Sequence, residues 1–262
     1  LSRDWQWQMT TLELKNIALT QGPEEVIYDL SAKFTSGINL LVGPTLAGKT
    51  TLMRIIAGLV KPTSGTFSMD GVDLTQVPVQ QRSVSFVYQQ FINYPSLSVF
   101  DNIASPLKVT KDKQTKQQIT ERVEEMAELL GLTPMLKRKP SELSGGQQQR
   151  VAIARALARK ADVVLLDEPL ANLDYKLREQ LRAELQSIFA NEDSIVIYST
   201  AEPSEALEFA TQSFIMHEGR IIQSGTALGI YQQPASLAAA VAMADPPLNL
   251  LTSAVENKSA KF

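Results

Sequence analysis

Eight residues, Gly43-Pro44-Thr45-Leu46-Ala47-Gly48-Lys49-Thr50, restrict what this chain can fold into more than any other segment. They follow a short aliphatic run, Asn39-Leu40-Leu41-Val42, and lead into a helical pattern from Thr50 to Leu59 that stops near Gly58 and Pro62. The pattern G-x-x-x-x-G-K-[ST] has meaning only in this context, between a strand and a helix. The backbone N–H groups between Thr45 and Thr50 would then surround phosphate groups. Lys49 would set its ammonium on β- and γ-phosphate oxygens, the Thr50 hydroxyl would be a Mg²⁺ ligand, and Thr51 would bond near the α-phosphate. The plain alternative is a tight turn carrying a surface lysine.

Two further segments weigh against that alternative. Ser144-Gly145-Gly146-Gln147-Gln148-Gln149-Arg150 leads into a helical pattern, Val151 to Ala158. Two glycines make poor helix, each costing roughly 1 kcal/mol against Ala. A Gly-rich opening to a helix presents free N–H groups and a positive dipole end, which suits an anion. Read alone, it is equally a loop with a helix cap. Downstream, Val163-Val164-Leu165-Leu166 is a strand-like run ending in Asp167-Glu168. A carboxylate where a buried strand ends commonly serves Mg²⁺, which assigns Asp167, and Glu168 could polarise an attacking water. Alone, the pair would be an ordinary acidic strand end.

The rest of the chain alternates in the same manner. Leu12–Leu19, Val26–Phe34, Thr66–Met69, Val84–Val87 and Ile195–Tyr198 read as strands, with a turn at Asp70-Gly71. From about Gln89 to Ser141 the character shifts. An amphipathic helix over Ile119–Leu130 puts Ile119, Val123, Met126, Leu129 and Leu130 on one face. This stretch reads as a helical subdomain inserted into an α/β core. An alanine-rich helix follows near Leu237–Ala244. The 262 residues include no cysteine, which excludes disulfides and thiolate metal sites. A net charge of −3 gives no reason to expect nucleic acid as a partner. No apolar run approaches the ~18–20 residues that span a bilayer, so a membrane role requires a partner. Leu1–Gln8 lacks the apolar core of a secretory signal and reads as a tag or extension ahead of Met9.

In combination these motifs resemble the nucleotide-binding subunit of an ATP-binding-cassette (ABC) transporter, from about Leu12 to Asn249. Gly43–Thr50 matches Walker A, Gln89 the Q-loop glutamine, Leu143–Gln147 the signature, Val163–Glu168 Walker B and Ala171-Asn172-Leu173-Asp174 the D-loop. The resemblance implies a P-loop NTPase core, a mixed sheet with flanking helices, plus an antiparallel β subdomain and the inserted helical subdomain at about 89–160. The ATPase domain would span 9–240. Residues 241–262 would begin a C-terminal regulatory β-barrel that is truncated or absent. Bound ATP and Mg²⁺ are implied, with Glu168, Lys49 and Gln89 catalytic and Thr50, Gln89 and Asp167 at the metal. Gly43 to Thr51 would hold one nucleotide. In this family two cassettes face head to tail, so Ser144, Gly145, Gly146, Gln147 and Asp174 would complete the site of the opposite cassette, alike or unlike.

Phe91-Ile92-Asn93-Tyr94-Pro95-Ser96-Leu97-Ser98-Val99, Glu168–Arg178, Gly225–Pro234 and Asn249-Leu250-Leu251 are similar to the bacterial sugar- and polyol-importer ATPases. Leu46-Ala47 and Tyr198-Ser-Thr-Ala-Glu-Pro add a likeness to glycerol importers. That likeness implies permease partners, a solute-binding protein acting indirectly, and a peripheral place on the cytoplasmic face of the membrane. Phe91–Val99 would line the groove for a permease helix. Departures stand beside it. Leu46 replaces a glycine, so its backbone must suit an L-residue or be strained. Ala201 replaces the switch histidine, and the sole histidine, His217, reads as a surface residue. Gln21 stands where an aromatic stacks on adenine. Tyr28 is an alternative stacking residue, though a strand-core role suits it better. A catalytically weak partner in a mixed pair, a soluble cassette ATPase and a small-molecule kinase are the competing readings.

Overall fold

The computed structural model describes residues 10–90, 92–109, 114–171, 173–189, 193–209 and 212–250, and the backbone of 254–256 and 259–261. The expected tag, Phe91, Asn172 and Leu251 lie outside the described residues.

Two sheets organise the chain. β1 (Thr11–Gln21), β2 (Glu24–Thr35), β4 (Ser64–Met69) and β5 (Val72–Asp73) form an antiparallel sheet in the order β2-β1-β4-β5. The second sheet has the order β10-β9-β3-β8-β7-β6. Its members are β3 (Gly37–Val42), β6 (Val84–Val87), β7 (Val163–Asp167), β8 (Ile195–Thr200), β9 (Gln212–His217) and β10 (Arg220–Gly225). β6, β7, β8, β3 and β9 run parallel, and β10 returns antiparallel to β9.

The parallel strands are apolar at nearly every position because both of their faces are covered. Alternate residues of one strand enter different cores. Val163 and Leu165 of β7, Ile195 and Ile197 of β8 and Leu41 of β3 join the antiparallel sheet and α1 (Lys49–Ala57). Val164, Leu166, Val196, Tyr198, Leu40 and Val42 join the opposite core. That core also holds α2 (Val99–Ala104), α3 (Lys116–Leu129), α4 (Gly145–Ala158), α5 (Tyr175–Phe189) and α6 (Pro203–Phe209). α7 (Ala227–Gln232) and α8 (Leu237–Ala242) follow β10, and a backbone hairpin pairs β11 (Ala254–Glu256) with β12 (Ser259–Lys261). Among the described residues no helix is long and apolar enough to cross a membrane.

Several expectations change in detail. On α3 the buried face carries Val123, Met126, Ala127 and, just beyond the helix end, Leu130, with Ile119 packed beside it, while Leu129 points outward. Residues 119, 123, 126 and 130 follow the helical repeat; position 129 falls about 80° away. Gly145 and Gly146, read either as a Gly-rich opening to a helix or as a loop before a cap, form the first turn of α4, with Ser144 as its N-cap. Their cost in a helix is offset by a capping box in which the Ser144 N–H donates to Gln147 Oε1 at 3.0 Å and the Gln147 N–H to Ser144 Oγ at 3.4 Å. Val99 is fully buried rather than exposed to a groove.

Candidate nucleotide site

β3 ends at Val42, and the chain turns through Gly43–Gly48 into α1. Gly43 is required by contact: a Cβ there would stand 2.1 Å from the Met216 carbonyl oxygen of β9. Parallel pairing of β3 with β9, Val42 opposite Ile215, delivers that carbonyl. Leu46 adopts φ +68, the left-handed region, and its side chain is 96% exposed. Of the two outcomes open at this position, strain is the one present, and the leucine is not held by packing.

Lys49 is the first residue of α1 and is 4% exposed. Its Nζ donates to the carbonyls of Gly43 at 2.7 Å and Pro44 at 3.0 Å, and pairs with Glu168 Oε1 at 3.1 Å. Glu168 follows β7 in a left-handed conformation, φ +44, a conformation uncommon outside glycine and typical of functional sites. Its N–H is held by the Ser199 hydroxyl at 3.0 Å, and Gln89 Nε2 donates to its Oε2 at 3.0 Å. Asp167 accepts from Ser199 Oγ at 2.7 Å and Thr50 Oγ1 at 3.1 Å, both on Oδ1. Neighbouring parallel strands bring these groups together, with Asp167 opposite Ser199 in the β7–β8 register.

A cavity of about 320 Å³ opens over this cluster, lined by Val26, Thr45, Leu46, Gly48, Lys49, Thr50, Thr51, Gln89 and Glu168. Pro44 and Ala47 belong to the loop but not to the cavity wall: the Pro44 carbonyl accepts hydrogen bonds from Lys49 Nζ and the Ala47 N–H, and Ala47 is buried. Ser144, Gly145, Gly146, Gln147 and Asp174 do not line the cavity. Ser144 and Gly145 are exposed and Gly146 is buried against Leu177. The Asp174 carboxylate accepts the Leu177 N–H at 3.0 Å, capping α5.

Sequence reasoning missed Ser199, whose hydroxyl organises both carboxylate residues. The two small hydroxyl residues that end β8, Ser199 and Thr200, were a signal for a polar strand end, but not for which carboxylate they reach. His217, read as a surface residue, is the half-buried last residue of β9. It lines an apolar cavity with Gly43, Pro44 and Ala201, because β9 ends beside the loop that leaves β3. Tyr28 is half-buried, not core, with the Arg220 guanidinium 4.5 Å over its ring.

The donors present fit Mg²⁺. A hydroxyl (Thr50), a carboxylate (Asp167) and an amide oxygen (Gln89) are hard oxygen ligands, and Mg²⁺ commonly takes one or two carboxylates with substrate phosphates completing its shell. The Thr50 and Asp167 oxygens stand 3.1 Å apart, close to the spacing of adjacent ligands in an octahedron with bonds of about 2.1 Å.

Comparison with known proteins bears on the family and the fold. Residues 28–171 match the family model described as ABC transporter. The chain is 41% identical over 256 residues to the sn-glycerol-3-phosphate import ATP-binding protein UgpC of Yersinia enterocolitica, covering 97% of this chain and 70% of that protein. It is 40% identical to UgpC of Escherichia coli K12, covering 97% and 71%. Among solved structures, the dimeric ATP-binding cassette MJ0796 bound to ADP and Pi superposes with a TM-score of 0.73 at 27% identity, over 82% of this chain and 98% of that one. The fold, the motifs in their order and these relatives lead to one assignment: the chain belongs to the ABC transporter family.

Proposed function

We propose that the chain is the ATP-hydrolysing subunit of an importer for a carbohydrate or polyol, glycerol or its phosphate among them, working on the cytoplasmic face of the membrane through permease subunits and, indirectly, a solute-binding protein. The observation that carries the chemistry is the buried Lys49 ammonium held between two loop carbonyls and Glu168. A buried ion pair is costly to leave half-made, and an incoming γ-phosphate would compete with Glu168 for Lys49. Glu168, released, would then orient the attacking water as general base, with Gln89 following its movement. Mg²⁺ held by Thr50, Asp167 and Gln89 would supply charge neutralisation on the phosphate oxygens. The remaining donors of Gly43–Thr51 would cradle the triphosphate.

Head-to-tail pairing with a second cassette would give a use to the exposed Ser144 and Gly145 and to Asp174, which lie away from the cavity of their own chain. The first-turn N–H groups of α4 have no acceptor inside the helix, and a γ-phosphate from the opposite cassette would supply one. The permease fits a groove of about 500 Å³ between β6 and the helical insertion of 89–160, lined by Phe86, Tyr94, Leu97, Val109, Arg155 and Arg159 among others. Residues 241–262 we assign to the start of a regulatory domain.

The test is ATP binding and hydrolysis by the chain in its membrane assembly, comparing wild type with Glu168→Gln. Retained binding with turnover reduced about 10²-fold or more is expected from loss of a general base. Turnover at the wild-type rate would remove Glu168 from the chemistry, and absence of ATP binding to wild type would end the reading altogether.

A further inference from the structure

The cavity over Lys49 is lined by groups suited to phosphate, and the aromatic residues near it offer no stacking face to a base. Gln21 is an exposed amide at the end of β1. Tyr28 is already engaged. Arg220 covers its ring at 4.5 Å, and Gly219 lies so near that a Cβ on it would stand 2.8 Å from Tyr28 Cδ2.

Leu46 is differently placed. A leucine in the left-handed region is disfavoured by contact of its Cβ with its own backbone, and at 96% exposure this one gains no packing in return. It contributes nothing to the fold that glycine or asparagine would not. Backbone outliers of this kind gather where a ligand is held. Leu46 and the half-buried Val26 line the phosphate cavity and also a neighbouring cavity of about 450 Å³. The second cavity is bounded by Glu24, Glu25, Tyr28, Glu218 and Arg220. Three of its lining residues are glutamates, and its guanidinium lies over the Tyr28 ring. Such a rim repels phosphate and accepts a neutral ring bearing N–H donors.

We propose that Leu46, backed by Val26, is the apolar platform for the nucleoside of the bound nucleotide, with the base directed into the acid-rimmed cavity. Leu46 thereby does the work that an aromatic at position 21 would otherwise do. This rests on the reading of Gly43–Thr51 as the triphosphate loop, and the two can be separated by ligand. ATP carries a nucleoside; inorganic tripolyphosphate does not.

The experiment measures the affinity of the full chain for ATP and for tripolyphosphate, each with Mg²⁺, in wild type, Leu46→Asn and Leu46→Met. Asparagine tolerates the left-handed conformation and keeps the loop; methionine keeps an apolar surface. Burial of one aliphatic side chain against a base predicts roughly ten-fold weaker ATP binding in Leu46→Asn. Tripolyphosphate binding should be unchanged, and Leu46→Met should bind ATP nearly as well as wild type. Equal losses for both ligands would mean that Leu46 acts through loop conformation, and no loss for ATP would mean that it meets no base; either overturns the proposal. Failure of wild type to bind tripolyphosphate while it binds ATP would instead count against the phosphate loop, and the proposal would fall with it.

Discussion

Ala201 stands exposed directly after β8, beside the cavity wall formed by Gly43 and Pro44. A methyl group can neither hydrogen-bond a phosphate nor share a proton with water, so in the proposed function the chemistry falls to Glu168, Gln89 and Lys49. Restoring the ring, Ala201→His, should raise the turnover of this site several-fold in the membrane assembly, read as steady-state phosphate release; an unchanged rate would place the limitation elsewhere. Four residues on, Glu205 is buried near the Tyr198 and Thr200 hydroxyls. Burial raises its carboxyl above the ordinary glutamate value, opposed by those hydroxyls and by Arg178. A raised folded pKa means that the protonated form is favoured in the fold. Its stabilising contribution is complete below the unfolded value and is lost as pH rises through the folded one. Replacing Glu205 by Gln, neutral and similar in shape, should therefore flatten the pH dependence. Thermal midpoints of wild type should fall relative to the variant as pH is raised from 4 toward 8. Parallel curves would show that Glu205 ionises without penalty. Neither the burial of Glu205 nor the reach of Ser199 to Asp167 could be read from the sequence, since each depends on a neighbouring strand or helix from a distant segment.

At the scale of elements, the phosphate loop is held at both ends of α1. Its start is fixed by β3 and by the close approach of Met216, and its end by Arg82, which comes from the segment just before β6. Arg82 is 6% exposed, donates to the carbonyls of Ile55 at 3.0 Å and Ile56 at 2.8 Å, and lies 4.9 Å over the Phe67 ring. A cation at a helix C-terminus satisfies carbonyls that the helix itself cannot and complements its dipole. Arg82→Met would keep the apolar stem and lose these charged hydrogen bonds, for an expected destabilisation of about 2–3 kcal/mol, measured by denaturant unfolding. A change below about 0.5 kcal/mol would indicate that water replaces the guanidinium. α3 shows how far periodicity carries. The repeat at 119, 123 and 126 was legible, whereas the outward turn of Leu129 follows from the helical angle that places 130, not 129, over that face. The capping box at Ser144 was also available in the letters Ser-Gly-Gly-Gln, but two glycines obscure it because their propensity argues for a loop.

Across the whole molecule, the segment after Gln89 links the end of β7 to α4. Gln89 bonds Glu168 of the core, while Asn93 Nδ2 donates to the Gln148 carbonyl of α4 at 2.7 Å. Arg155 of α4 donates to the Ile92 carbonyl and lies 4.9 Å over the Tyr94 ring, at the wall of the proposed permease groove. Arg155→Ala should lower the ratio of permease-stimulated to unstimulated ATP hydrolysis in the reconstituted assembly, with ATP affinity changed less than two-fold. An unaltered ratio would show that coupling bypasses this side chain. The sequence by itself determined the α/β class, the order of the Gly43–Thr50 loop, signature and acidic strand end, and hence the family. It could do so because strand–loop–helix transitions and glycine placement are local, set by neighbours along the chain. Only the tertiary structure decided that Glu168 rests on Lys49, that Tyr28 is taken by Arg220 and that Leu46 stands bare between two cavities. Those outcomes depend on which strands lie side by side, and strand order is fixed by burying both faces of the central sheet at once, a condition that no single segment contains.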